Sequence, residues 1–217
     1  FDEAWRTAVP EELYSTTFIE EHTVNYLEKH DPAGEPFFIQ CSFPDPHHPF
    51  TPPGKYWDLY DPEDCEIPVS AFANFNNPPP LAKKLRREST RESRAAYPYA
   101  AYGVSGEQEI RETIALTYGM IAMMDDAVGK ILATLKAQGL DKNTVVMFSS
   151  DHGDLMGDHG LMLKHCFHNQ GLINVPFIWA DPNNVAQSET DQLASTMDIG
   201  STVLARAGLS PFNGMQG

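Results

Sequence analysis

The chain has 217 residues, 41% of them hydrophobic, with 15 Lys and Arg against 30 Asp and Glu, a formal net charge of −15. That length suits one α/β domain or part of a larger one, and the apolar share excludes a disordered polyanion. The charge argues against nucleic acid or an anionic membrane surface as partner, because phosphates are held by clustered Lys and Arg. No apolar run approaches the ~20 residues of a membrane span.

Cys41, Cys65 and Cys166 are odd in number and form no Cys-x-x-Cys, so buried free thiols are expected rather than a disulfide scaffold. The chain opens on Phe1 and closes on Gly217 after a turn-like Ser210-Pro211-Phe212-Asn213-Gly214. Both ends read as cut from something longer, and an internal fragment is the expectation.

In chain order, the first helix is expected over about 15–29. Phe18, Ile19, His22, Tyr26 and Leu27 share one face, and His30-Asp31-Pro32 with Gly34 forms the stop. Residues 36–43, short, apolar and ended by Pro44, read as a buried strand. The proline-rich stretch 44–80 reads as a long irregular excursion, a kind of loop that is uncommon in compact domains and often functional. Lys83, Lys84, Arg86, Arg87, Arg91 and Arg94, interleaved with Glu88 and Glu92, read as a solvated helix or inserted loop, since a nucleic-acid patch would carry aromatics among them.

A long helix is expected over 107–138, because Ile110, Ile114, Thr117, Ile121, Met124, Val128, Ile131 and Leu135 recur at three- and four-residue steps. Gly139 to Asn143 is the turn that ends it. Residues 144–150 are β-branched and almost uncharged, as a central parallel strand should be, and a second such strand is expected at about 175–180. A last helix is expected over about 196–207. The order predicts an α/β fold with a mostly parallel sheet flanked by helices.

Six of the eight histidines fall in two segments that follow predicted strands: His47 and His48, then His152, His159, His165 and His168. Ligands of open α/β sheets bind outside the carboxyl ends of strands, so the two segments converge on one crevice if the fold is of that kind. In Ser150-Asp151-His152-Gly153-Asp154 a carboxylate and an imidazole stand side by side, able to turn toward one divalent cation while Gly153 lets the backbone fold away. Lys164, thirteen residues past Asp151, is placed to return a positive charge to the same pocket. In Pro44-Asp45-Pro46-His47-His48-Pro49-Phe50 the prolines stiffen the backbone that carries the imidazoles.

These motifs, together with Tyr118-Gly119-Met120-Ile121, Asp125-Asp126-Ala127-Val128-Gly129, Asn143-Thr144, Gly157-Asp158-His159-Gly160 and Val175-Pro176-Phe177-Ile178, run in an order that resembles the sulfatase family of the alkaline phosphatase superfamily. The chain is also similar to that family's phosphonate monoester hydrolase branch. The resemblance implies an alkaline phosphatase-like core, present only in part, with residues 1–217 forming a single partial catalytic domain. It implies hydrolysis of small-molecule sulfate esters, with phosphonate or phosphate esters as the alternative. Neither nucleic acid nor a membrane is implied as partner, and an oligomer is left open.

Residue by residue, it implies Asp151 and His152 as ligands of one divalent cation, Ca2+ first, with Mn2+ or Zn2+ as alternatives. Lys164 and His47 would contact the sulfate or phosphonate group as catalytic and substrate-binding residues, and His48 receives no role. The family's nucleophile is a formylglycine made within Cys/Ser-x-Pro-x-Arg. No such motif occurs in this sequence, so the nucleophile is expected upstream. The family's paired first-strand aspartates are likewise missing, since Asp125-Asp126 falls inside a helical pattern. After Lys164 the stretch Phe167-His168-Asn169-Gln170-Gly171 departs from the family's acidic and basic residues, and His165 and His168 are read as structural. Two other readings remain: a phosphomutase or phosphodiesterase with a Thr or Ser nucleophile and two metals, and a non-catalytic homologue.

Overall fold

A computed structural model describes residues 4–73, 78, 80–87, 101–164, 168–184 and 189–217. The distal part of the basic run, 88–94, and His165, Cys166 and Phe167 lie outside the described residues. The chain divides into two compact units, Phe1–Pro182 and Asn183–Gly217.

Helix α1 spans Ser15–Lys29, as its pattern predicts, and ends where the His30 N–H turns to the Leu27 carbonyl ahead of Pro32. The buried face differs from the expected one. Thr16, Glu20 and Leu27 are buried, while Phe18 and Tyr26 are exposed. Polar partners explain this orientation: Thr16 Oγ1 donates to Asp45 Oδ2 at 2.5 Å, and Lys130 Nζ reaches both Glu20 oxygens at 2.9 and 3.0 Å. A buried carboxylate needs such partners, so pairing outweighs the apolar stripe in setting the helix's rotation.

Residues 36–43 form no strand. No ladder partner lies beside them among the described residues, and Phe38 is 79% exposed while Phe37 and Ile39 lean on a cluster of Leu27, Leu135 and Leu140. The alternation of the sequence is kept, but the hydrogen-bonded neighbour that would make it a strand is not supplied. The excursion 44–73 is irregular as expected, broken by 3₁₀ turns at Gly54–Tyr56 and Pro62–Asp64. It is not a mere surface loop: Phe50, Pro52, Pro53, Tyr56, Cys65 and Ala71 are buried.

Helix α2 spans Pro80–Arg87 and exposes Lys83 and Lys84, in keeping with a solvated basic face. Helix α3 spans Glu107–Ala137. At its start the buried Glu109 carboxylate accepts from the Ser105 N–H and hydroxyl at 2.6 and 2.7 Å, tying the segment that leads into the helix to its first turn. Ile110, Ile114, Thr117 and Leu135 are buried as their spacing predicts, although Ile121 is largely exposed. Gly139 takes a left-handed φ of 70° and ends the helix.

The sheet corrects the sequence reading. Strands β1 (Tyr102–Gly103) and β3 (Leu161–Met162) pair antiparallel, and so do β2 (Val146–Ser149) and β4 (Phe177–Ala180), with Ser149 opposite Phe177 and Val146 opposite Ala180. No mostly parallel sheet is present among the described residues. The connection 150–176 accounts for this. It folds back on itself at the Ser149 end, with Gly153 N–H bonded to Leu172 O, so β4 begins beside the residue where β2 stops and must run the opposite way. Nor is β2 buried on both faces, since Met147 and Phe148 are each 38% exposed. The main core instead joins α3 to the excursion and β3: Phe50, Ala71, Ile110, Ile114, Met120, Met162 and Leu163 form one buried cluster. Helix α4 is the single turn Gln170–Ile173, and α5 spans Asp198–Arg206 in the second unit.

Candidate active site

Asp151 follows β2 and points outward, its side chain 85% exposed. Its Oδ1 accepts the His152 N–H at 2.9 Å, and Ser150 Oγ donates to the His152 carbonyl at 2.9 Å. These short local bonds hold the Asp-His pair in one orientation. The His152 ring places Nδ1 2.7 Å from the Gly153 carbonyl oxygen. A carbonyl only accepts, so Nδ1 carries the proton and Nε2 presents its lone pair. Lys164 Nζ donates to that Nε2 at 3.0 Å, and Asp151 Oδ2 lies 3.6 Å from it.

The chain between these residues explains how a lysine twelve positions on returns to the imidazole. Leu155 N–H bonds to Leu163 O at 3.0 Å and Gly157 N–H to Leu161 O at 2.9 Å, making a tight hairpin. Its turn is strained: Met156, His159 and Leu163 have φ of 46°, 56° and 62°, besides Gly157 at 96° and Gly160 at 69°. Left-handed backbone at a non-glycine residue costs roughly 1–3 kcal/mol and persists only where the surroundings hold it. Leu155, Leu161, Met162 and Leu163 are all buried, which anchors both arms. Gly153 is required beside the pair, because a Cβ there would meet the Gly171 carbonyl oxygen at 1.9 Å.

The electrostatics are those of a partly enclosed basic group among carboxylates. Burial lowers the Lys164 pKa below its ordinary value, against the opposing pull of Asp151 and Asp154. Burial raises the Asp154 pKa, while the Met156 N–H, which donates to Oδ1 at 3.1 Å, and the positive charge of Lys164 act the other way. Sequence reasoning assigned Asp154 no role; its signal was only a second acid after Asp-His-Gly, which does not reveal burial.

The other loop is built differently. Asp45 is buried and held by Thr16 and Tyr14 at the start of α1. The Asp45–Pro46 and His48–Pro49 bonds are cis. His47 is exposed, its Nδ1 2.5 Å from the His48 carbonyl oxygen, and its ring stacks on the buried His48 ring at 4.1 Å between centroids. The structure thus brings Asp151, His152 and Lys164 together, whereas His47 stacks and bonds on its own neighbour in the first loop. Both loops send residues into the main core, Phe50 from the first and Met162 and Leu163 from the second.

Asp151 Oδ2 and His152 Nε2 lie 3.6 Å apart at the end of β2, the Nε2 lone pair taken by Lys164 Nζ and the ring oriented by the Gly153 carbonyl behind it. Among the described residues no group of three or more His, Cys, Asp and Glu is arranged to hold a metal ion.

The sulfatase family model matches residues 2–209. The chain belongs to the sulfatase family. It is 30% identical over 211 residues to an arylsulfatase of Clostridium perfringens, covering 95% of this chain and 41% of that protein. It is 29% identical over 204 residues to a multifunctional alkaline phosphatase superfamily protein of Trinickia caryophylli, covering 90% of this chain and 38% of that one. A solved phosphonate monoester hydrolase of Agrobacterium radiobacter superposes with a TM-score of 0.75 at 28% identity, over 95% of this chain and 41% of that one. This sulfatase-family chain therefore spans about two fifths of the length of the relatives it matches. Its fold is of the sulfatase and alkaline phosphatase kind, with mixed helix and strand.

Within the family motifs, some residues brace the fold. Asp126 accepts from Tyr56 Oη at 2.6 Å and from Lys55 Nζ at 3.5 Å, fastening the 3₁₀ turn at Gly54–Tyr56 to α3. Gly119 lets that turn approach, since a Cβ there would lie 2.2 Å from the Tyr56 carbonyl oxygen. Cys41 and Cys65 are free thiols.

Proposed function

We propose that the protein to which this chain belongs is a metal-dependent hydrolase of sulfate monoesters, acting through a formylglycine encoded outside residues 1–217, and that this chain is part of its catalytic domain. The single observation that carries this reading is the meeting of Asp151, His152 and Lys164 at the end of β2, in a chain of the sulfatase family. A cation held by Asp151 and by His152 Nε2, in exchange for the Lys164 contact there, would supply Lewis-acid charge to a nonbridging ester oxygen.

The residues of the chain do the rest. Lys164, a neighbour of that same cation position, places a second positive charge where nonbridging oxygens gather charge as the ester bond breaks. Exclusion of water around its partly buried ammonium strengthens that attraction. His47, whose Nδ1 is engaged with the His48 carbonyl, would deliver a proton from Nε2 to the leaving oxygen. The imidazole donor is softer than a pure oxygen set, which keeps Mn2+ and Zn2+ beside Ca2+ as candidate ions.

The experiment is to assay the full-length protein on an aryl sulfate and an aryl phosphonate monoester, before and after chelation and with Ca2+, Mn2+ or Zn2+ restored. Asp151→Ala and Lys164→Ala should each lower kcat/KM by at least about a hundredfold. Unchanged turnover in both variants would sink the reading. A second reading, phosphonate or phosphate ester hydrolysis, is favoured by the likeness to the Agrobacterium radiobacter phosphonate monoester hydrolase. The ratio of kcat/KM on the two esters decides between them.

A further inference from the structure

We infer that Ser70 and Asp158 are positioning residues for the Lys164–His152 pair, holding shut the strained turn that carries the lysine back to the imidazole. Ser70 Oγ donates to Asp158 Oδ1 at 2.6 Å and accepts from the His159 N–H at 3.1 Å. One hydroxyl, used in both directions, thus ties two consecutive residues of the 156–163 turn to a segment almost ninety positions earlier in the chain. The His159 end of this tie is one of the left-handed, non-glycine residues, so the bond falls on backbone that would otherwise relax toward ordinary φ.

Ser70 is a fixed point. The next residue, Ala71, is fully buried in the main core, its N–H is bonded to Pro68 O at 2.9 Å, and a Cβ at Gly160 would lie 2.9 Å from its carbonyl oxygen. From there contacts run toward the site along two arms. On one arm, Asp158 sits against Gly171, where a Cβ would be 2.9 Å from Oδ2, and Gly171 abuts Gly153, the residue after His152. On the other, the hairpin bonds of Leu155 and Gly157 to Leu163 and Leu161 set the residue just before Lys164. Both partners of the 3.0 Å contact are therefore placed by a turn that Ser70 and Asp158 close.

The inference rests on the proposed hydrolase reading for its kinetic readout, and the test separates the two. In the full-length protein, Ser70→Ala should lower kcat on an aryl sulfate by about ten- to a hundredfold, the scale of losing a positioned group, and Ser70→Thr should recover most of it. In a Lys164→Ala background the same Ser70→Ala change should cost clearly less than in the parent protein, because only the His152 side of the pair is left to place. Full additivity of the two changes overturns the inference.

A readout independent of turnover is the ring nitrogen spectrum of protein labelled with nitrogen-15 histidine. Ser70→Ala should move the His152 Nε2 resonance toward its position in Lys164→Ala, and an unmoved resonance in a folded variant also overturns the inference. Should alanine unfold the turn, Ser70→Cys keeps the bulk with a weaker donor, and the same shift is expected at smaller amplitude. If Asp151→Ala and Lys164→Ala leave turnover unchanged, the hydrolase reading fails, and the histidine spectrum still decides the role of Ser70.

Discussion

The loop at 44–50 and the loop at 151–164 both present imidazoles, yet they are made rigid by different means. The first is stiffened by its prolines and rooted by a buried Asp45 carboxylate at the start of α1. The second carries left-handed turns, three of them at residues with side chains, and is held by hydrogen bonds and buried leucines. The first loop thus combines its own prolines with one partner in α1, whereas the second takes its shape from a set of backbone and side-chain partners that includes Ser70 and Leu172. Strain of this kind concentrates where a side chain must be aimed, and Lys164 is the side chain it aims.

That contrast can be broken, and the largest effect should come at Phe50, where the first loop enters the main core. Phe50→Ala empties a fully buried site in the cluster that also holds Met162 and Leu163, and should cost about 3–5 kcal/mol in chemical denaturation. A loss below about 1 kcal/mol would show that the loops do not lean on a common core. Gly153→Ala, which drives a methyl into the Gly171 carbonyl, should cost about 1–3 kcal/mol and disturb the second loop alone. Retention of the wild-type melting temperature would contradict the close approach there.

On the first loop, Thr16→Val removes a hydroxyl donor from the buried Asp45 and should cost about 1–3 kcal/mol near neutral pH. Asp45 also makes a pH prediction. Burial raises its pKa above the ordinary aspartate value, although the Thr16 and Tyr14 hydrogen bonds pull it down. With the folded pKa above the unfolded one, this group's stabilisation is fully present below the ordinary aspartate range and is lost as pH rises through the folded pKa. The Asp45→Asn variant should therefore show a flatter stability profile over that window, and an unchanged slope would refute the assignment. The smallest effect is expected at Gly129 in α3, where nothing lies within 4 Å of a Cβ. Gly129→Ala should add about 0.5–1 kcal/mol through helix propensity, and a loss would reveal an unseen contact.

Much of the site was legible in the sequence as residue types at a spacing, and less of it as geometry. The Asp-His-Gly run and the later lysine could be read as one pocket because thirteen residues suffice for a hairpin that returns to its start. That Lys164 touches Nε2 rather than the carboxylate, that His48 is buried while His47 is exposed, and that Asp154 is enclosed could not be read. These depend on which neighbours fold over each group. Ser70 was invisible for the same reason: a serine in a loop carries no signal of the carboxylate it will meet.

Local physics belongs to the sequence by itself. Apolar spacing, charge and stop residues set α1 to Ser15–Lys29 and α3 to Glu107–Ala137, and Gly139 closes the latter whatever packs around it. Only the tertiary structure decided the direction of β4, the polar face on which α1 rests, and the lack of a ladder beside 36–43 among the described residues. Strand pairing and helix rotation depend on which hydrogen-bond partners arrive from elsewhere in the chain, and no window of residues around the element contains them.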